Sequence, residues 1–513
     1  EIDKESGDYK FNLAEKSSTP ANPIVDRITL NPGNHTNHAI NVPVATGEVE
    51  PTTVAMFEYH GASSKIQDLD NVTVNASSIK LTFNFQSGMS SHVRIKTMTI
   101  NMPDYLLTGN VTVSSGSAKI AKSGSTLTLT DVSTASQLVI NIPVTGMNFK
   151  GTDTSLGGLD KITGGNINLN GKFKMGLETQ AVGASSANTY RIDANIDVSQ
   201  MTVTKATGKF DPEIDITNLG SISVKGIPDF LSDSNVKVDL YNPQIIIKIV
   251  NNMDVAAKIT KGNIISTKNG RTLATIILPQ MSIHKNAITE ICICRRNTPE
   301  LTAQYGAENV YVVENLSALV ETVPDMVRIE GVEVKADASQ TATIELGHQY
   351  NVEPSYKVNA PLAFSENANI VYTDNLDGWN DDVKDLDLSD KAYLQLTGDA
   401  ESKMPMYLTI DVTPVDVNGN DLSGKINVEI PNKIIGSSNG ETPASSKVVI
   451  KITQKEKDAL KELDGLKFTV TGSAKTDGQN NVIEGITLNA HKHTLKLNNI
   501  KVKIVGKVIA DFN

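Results

Sequence analysis

The stretch VKGIPDFLSDSNVKVDLYNPQIIIKIVNN, residues 224–252, decides how the chain is to be read. It opens on a Pro-Asp turn signal. Val236, Val238 and Leu240 then alternate with Lys237 and Asp239, the period-two pattern of a strand with one buried face. Asn242-Pro243 breaks that strand, and an aliphatic run follows at once. Strand, break and strand in such quick order is the grammar of an all-β protein.

The phrase hydrophobe-Pro-Asp occurs three times, in INMPDYL (100–106), KGIPDFL (225–231) and ETVPDMV (321–327). Proline cannot donate to a ladder, and the aspartate can accept from nearby backbone N–H groups. The phrase is therefore expected to end one strand and turn the chain, with Pro103, Pro228 and Pro324 at related places in diverged β-units. A second phrase is a strand interrupted by polar residues or proline: IKIVNNMDVAAKI (247–259), YKVNAPLAFSENANIVY (356–372) and ESKMPMYLTIDV (401–412). Such an interruption lets a strand leave one sheet and continue in the sheet facing it.

Composition agrees. The 513 residues are 39% hydrophobic and only 5% aromatic. At about 100–200 residues per domain, the length suggests three to five domains. Tandem antiparallel, Ig-like β-sandwiches are expected: residues 1–60 as a lead with the first strands, then sandwiches over 61–195, 196–297, 298–390 and 391–513. Asn170-Gly171, Asn269-Gly270 and Asn418-Gly419 are expected as hairpin turns, since the pair tolerates positive φ at both positions. One short helix is expected in the last domain, in TQKEKDALKELDG. There Thr453 and Glu456 form a capping box, Leu460 and Leu463 a narrow stripe, and Gly465 the stop. In NIKVKIVGKVI, Ile500, Val502 and Ile504 are expected to face a core from a paired strand, with a bulge at Gly506.

Charge narrows the partners. A net charge of −11 repels phosphate backbones, which sets nucleic acid aside. No apolar run reaches the roughly 18–20 residues of a membrane helix. The chain starts at Glu1 without a basic or apolar leader, so a signal peptide is expected to be gone already. Cys292 and Cys294, two apart on one strand face, read as packed thiols.

Chemistry is thinly signalled. Asp374, Asn375, Asp377, Asp381 and Asp382 gather oxygens that suit a hard cation, so a structural Ca²⁺ is the one cofactor in view. An EF-hand register fails there, because position one falls on Thr373 and position twelve on Lys384. A solvated loop explains the same residues, and the DVNGND run, with Asp416 and Asp421, reads as a hairpin. His35 and His38, and His491 and His493 on one strand face, lack a third ligand nearby. Nucleophile elbow, phosphate loop and dinucleotide fingerprint are all missing, so no catalytic residue is assigned. A glycosidase carboxylate pair is disfavoured by the scarcity of aromatic platforms for sugar.

The segments KATGKFDPEIDI, IPDFLSDSNVKVDLYNPQIIIKIVNN, YKVNAPLAFSENANIVY, PMYLTIDVTPVDVNGN and LKLNNIKVKIVGKVIADFN together resemble uncharacterised cell-envelope proteins of Bacteroidetes. DLYNPQIIIKIVNN also resembles the strand–Asn-Pro–strand pattern of late-embryogenesis-abundant β-sandwiches. The first resemblance implies an exported protein at the outer membrane or cell surface, often a lipoprotein. Glu1, Asp3 and Glu5 would suit the acidic start that follows a lipidated cysteine. Contact with the membrane would then be through that N-terminal anchor alone. The expected role is structural, adhesive or in assembly, without catalysis, and the expected partners are other envelope proteins or surface glycans. The alternative is a glycan- or lipid-binding surface module.

Overall fold

The computed structural model describes residues 5–216, 218–224, 231, 233, 235–385, 387–389, 391–432, 434–476, 478, 480–506 and 508–509. Pro228 and the rest of its Pro-Asp phrase up to Phe230, and Glu1 and Asp3, lie outside the described residues. The chain is all-β, built of antiparallel sheets packed as tandem sandwiches. Among the described residues one strand pair is parallel, Cys292–Cys294 beside Val310–Val312.

The interrupted strands behave as read. Gln244–Asn251 lies between Val352–Pro361 and Ala287–Cys294 in one sheet. The chain then crosses, and Ala257–Lys268 joins a different sheet beside Met326–Ala336. Asn251 makes the crossing, and it is only 2% exposed. Its amide donates to the carbonyls of Val255 and His284, both at 3.0 Å, and its Oδ1 accepts from Met253 N–H at 3.0 Å. A buried polar side chain thus satisfies the backbone that the ladders release. Val352–Pro361 and Asn369–Leu376 likewise belong to different sheets, as do Tyr393–Ser402 and Tyr407–Val415.

Three principal cores result. The first is enclosed by long strands such as Ile66–Phe85 and Asn166–Ala181 and holds Phe57, Phe83, Phe173 and Phe210. The second unites Ile245, Ile247, Ile291, Ile329 and Tyr356, drawing on both sides of position 297. Strand Lys10–Ser17, near the N-terminus, pairs into its sheet against Val352–Pro361. The third lies over residues 383–466 and holds Leu394, Leu396, Ile450 and Leu466. Cys292 and Cys294 are both buried and unbridged, as expected, in a small cluster with Leu301.

Turns divided in outcome. Asn269-Gly270 is the hairpin expected, with φ of 52° and 75° and Lys268 opposite Arg271. Asp325, of the third Pro-Asp phrase, braces it: its carboxylate accepts from Asn269 N–H at 2.7 Å. Asn170-Gly171 is no turn. It lies inside the unbroken strand Asn166–Ala181, with Gly171 opposite Phe57. A Cβ on Gly171 would stand 2.3 Å from the Phe57 ring, so the glycine makes room for an aromatic. Asn418-Gly419 turns the chain and closes a short antiparallel bridge, Val415 opposite Asp421, but the strands beyond it, Tyr407–Val415 and Ile426–Glu429, belong to different sheets. Asp416 Oδ1 organises that turn by accepting from Asn418 and Asn420 N–H at 2.8 and 2.9 Å.

The short helix of the last domain is one 3-10 turn, Ala459–Glu462. Thr453 is not its cap. It lies in strand Ala444–Gln454, between Tyr393 and Asn427. Alternating burial of Val448, Ile450 and Ile452 extends the strand through the capping-box position, and Asp458 enters the turn at φ 60°. Pro103 follows a strand as expected, whereas Pro324 follows the 3-10 turn Leu316–Leu319 and only begins one.

Candidate interaction site

The five acidic-loop residues do not meet as ligands. Asp374 and Asn375 are consecutive in strand Asn369–Leu376, so they face opposite ways. Asp374 Oδ1 accepts from Asn375 N–H at 2.9 Å. Asp381 and Asp382 start the short helix Asn380–Val383, and the Lys384 ammonium holds the Asp381 carboxyl below its ordinary value. Asp377 lies between these two groups in the chain. Among the described residues no three His, Cys, Asp or Glu side chains converge as a metal would need. The anion that shapes this loop is Asp464, which the sequence did not single out. Its carboxylate accepts from Gly378 N–H at 3.3 Å and Asn380 N–H at 3.1 Å.

His35 and His38 are exposed, and the other histidine pair packs against glycines. His491 and His493 lie in a turn rather than on a strand face. The ring of His491 sits against Gly7, and that of His493 against Gly440. Asn489, 5% exposed, is the hub: its amide donates to Ser6 O at 2.7 Å and Asp8 Oδ1 at 2.8 Å. Its own N–H donates to His493 Nδ1 at 2.9 Å. Beside it a cavity of about 310 Å³ is lined by Tyr9, Leu231, Phe364, Met404, Met406 and Leu488.

A larger departure from expectation lies at the end of the chain. Strand Leu495–Val505 is paired, as anticipated, but among the described residues only along one side, to Tyr393–Ser402. It is the edge of its sheet, and its aliphatic face is not covered. Leu495, Leu497, Ile500, Val502 and Ile504 are 45, 47, 55, 58 and 42% exposed. A bulge keeps all five on one face. Asn499 takes φ 55°, the register slips between Asn498 and Lys501, and Asn499 Nδ2 donates to Asp399 Oδ2 at 2.8 Å. Within the strand the bulge thus falls at Asn499.

Across the opening runs Asn369–Leu376, the edge of the facing sheet, with Tyr372 and Leu376 51 and 45% exposed. The two edges flank a groove of about 280 Å³ floored by Ile410, Val448, Ile450 and Phe468. On the outer face of the first edge stand Lys496, Lys501 and Lys503. Among the described residues none of the three lies in an ion pair. An open margin with an apolar inner row and a basic outer row can bind another chain. Alternation signalled the strand, but nothing local marks a strand as an edge.

No family model matches this chain, and no curated protein matches it. Among solved structures, a "putative secreted protein" from Parabacteroides distasonis is 15% identical, over 59% of this chain and 90% of that one, with a TM-score of 0.39. The collagen adhesin of S. aureus is 12% identical, over 66% and 85% of the two chains, with a TM-score of 0.09. Neither likeness is strong enough to carry an argument about this chain.

Proposed function

We propose that the protein is an exported, non-catalytic component of a cell envelope, with a structural or assembly role, and that it engages another envelope protein through the open margin of its last sandwich. The observation that supports this is the row of five half-exposed aliphatic side chains on one unpaired edge. Soluble proteins cover or charge such edges, because an open apolar edge recruits other chains. Export and a lipid anchor rest on the sequence resemblance to Bacteroidetes envelope proteins.

The experiment is site-specific photo-crosslinking in the native envelope. A benzophenone side chain at Val502 should give a discrete adduct with an envelope protein. The same probe at Lys447, exposed on the outer face of the same sheet, should give none. A protein that stays uncrosslinked at 502 while folded in its envelope would remove this reading.

A further inference from the structure

We infer that the occupant of the open margin is an extended strand in which aliphatic and acidic residues alternate, supplied by a different protein and added edge-on to Leu495–Val505. This rests on the proposed function and names the chemistry of its partner.

The geometry asks for a strand. Leu495–Val505 presents eleven residues of backbone, and its outer edge has no strand partner among the described residues. The N–H and C=O groups along such an edge are ready to pair with an incoming chain. Side chains of that chain would point alternately to the two faces. Those pointing inward would meet Leu495, Leu497, Ile500, Val502 and Ile504 and close the groove of about 280 Å³ toward Tyr372 and Leu376. Aliphatic residues fit there, and each would complete the burial that the edge leaves half done.

Charge decides the other face. Outward side chains of the added strand would stand beside Lys496, Lys501 and Lys503. Opposite charges across a strand pair are favourable, and like charges directly opposite are not. Acidic residues are therefore selected. The same rule disfavours a second copy adding through its own 495–505 strand, because two lysine rows would then be set side by side. Two chains of net charge −11 also repel one another at long range.

The test uses the full chain and two labelled eleven-residue peptides, one alternating Val with Glu and one alternating Val with Lys. The Val/Glu peptide should bind, less tightly as salt rises, and should slow amide exchange along residues 495–505. The Val/Lys peptide should bind about tenfold more weakly or worse. Combining Lys496→Glu, Lys501→Glu and Lys503→Glu should reverse that preference; near-UV circular dichroism checks that this variant is folded. Val502→Glu should abolish binding of both peptides. Indifference to peptide charge before and after reversal overturns the inference. So does failure of the Val/Glu peptide to bind, or a dimer in sedimentation that Val502→Glu dissolves. A crosslink at 502 without peptide binding would keep the surface and discard this occupant; loss of both would discard the surface too.

Discussion

Leu396 and Val502 stand directly opposite each other on adjacent strands, yet Leu396 is 6% exposed and Val502 58%. Both project to the inner face of one sheet. Leu396 has a strand on either side, Ala444–Gln454 and Leu495–Val505, while Val502 has one among the described residues. A single step across the sheet thus separates a core position from an accessible one. Leu396→Ala should cost about 2–5 kcal/mol, as cavity-forming core truncations do. Val502→Glu should cost less than about 1 kcal/mol, because its side chain can reach water. Urea titrations of the two variants decide this, and equal losses would mean that Val502 is buried in solution.

Asn251 is a structural hinge whose loss should be felt throughout the middle sandwich. Asn251→Ala leaves the carbonyls of Val255 and His284 and the N–H of Met253 without their partner. With hydrogen bonds and desolvated orphans both counted, about 2–4 kcal/mol of stability should go. Asn251→Asp should be little better, since a carboxylate cannot donate to the two carbonyls. Chemical denaturation reads both; a near-neutral Asn251→Ala would contradict the hinge.

Asp239 and Arg295 form an ion pair at 2.7 Å with side chains only 8 and 15% exposed. Arg295 also donates to Leu240 O at 2.6 Å, and Asp239 Oδ2 accepts from Asn367 N–H at 3.2 Å. Removing one partner strands a desolvated charge. Arg295→Ala should therefore cost about 3–5 kcal/mol. Pairing Arg295→Met with Asp239→Asn, which still accepts from Asn367, should recover most of that loss. A double variant no more stable than the single one would show that the pair itself, not the stranded charge, carries the stability.

His493 links stability to acid. Burial, then the Lys492 charge, lowers its pKa from 6.5 in the folded protein, and its Nδ1 accepts from Asn489 N–H as only a neutral ring can. Asp8 and Glu441 oppose this shift without cancelling it. The unfolded chain then takes up the proton first. The stabilising contribution is complete above pH 6.5 and declines as the pH falls from there through the depressed folded value. Thermal melts across that window should show the decline, and His493→Gln should flatten it. An unchanged slope in the variant would place the titration elsewhere.

Gly171 should resist substitution for a reason the sequence hides. Gly171→Ala would drive a methyl group into the Phe57 ring and cost about 1–3 kcal/mol by overpacking. Combining it with Phe57→Leu should relieve part of the cost in a melting assay. Full additivity of the two changes would show that they do not touch.

The sequence by itself determined the strands and the sheet crossings. Alternation of Val236, Val238 and Leu240 marked the side chains that are buried, although the segment makes isolated bridges at Lys237 and Leu240 rather than the expected strand, and the polar interruption after Asn251 wrote a crossing, because side-chain period and polar interruption act within a few residues. It also determined that Asn269-Gly270 would turn, since the needed φ values belong to the dipeptide itself. The tertiary structure alone decided what those strands were next to. Asn170-Gly171 stays in a strand because Phe57 from another strand fills the space a side chain would take. Thr453 extends a strand because its neighbours on two flanking strands outbid a local capping box. Ile500, Val502 and Ile504 carry the pattern of a core and lie at an open margin, because burial depends on how many strands lie alongside and local periodicity records only which way a side chain points.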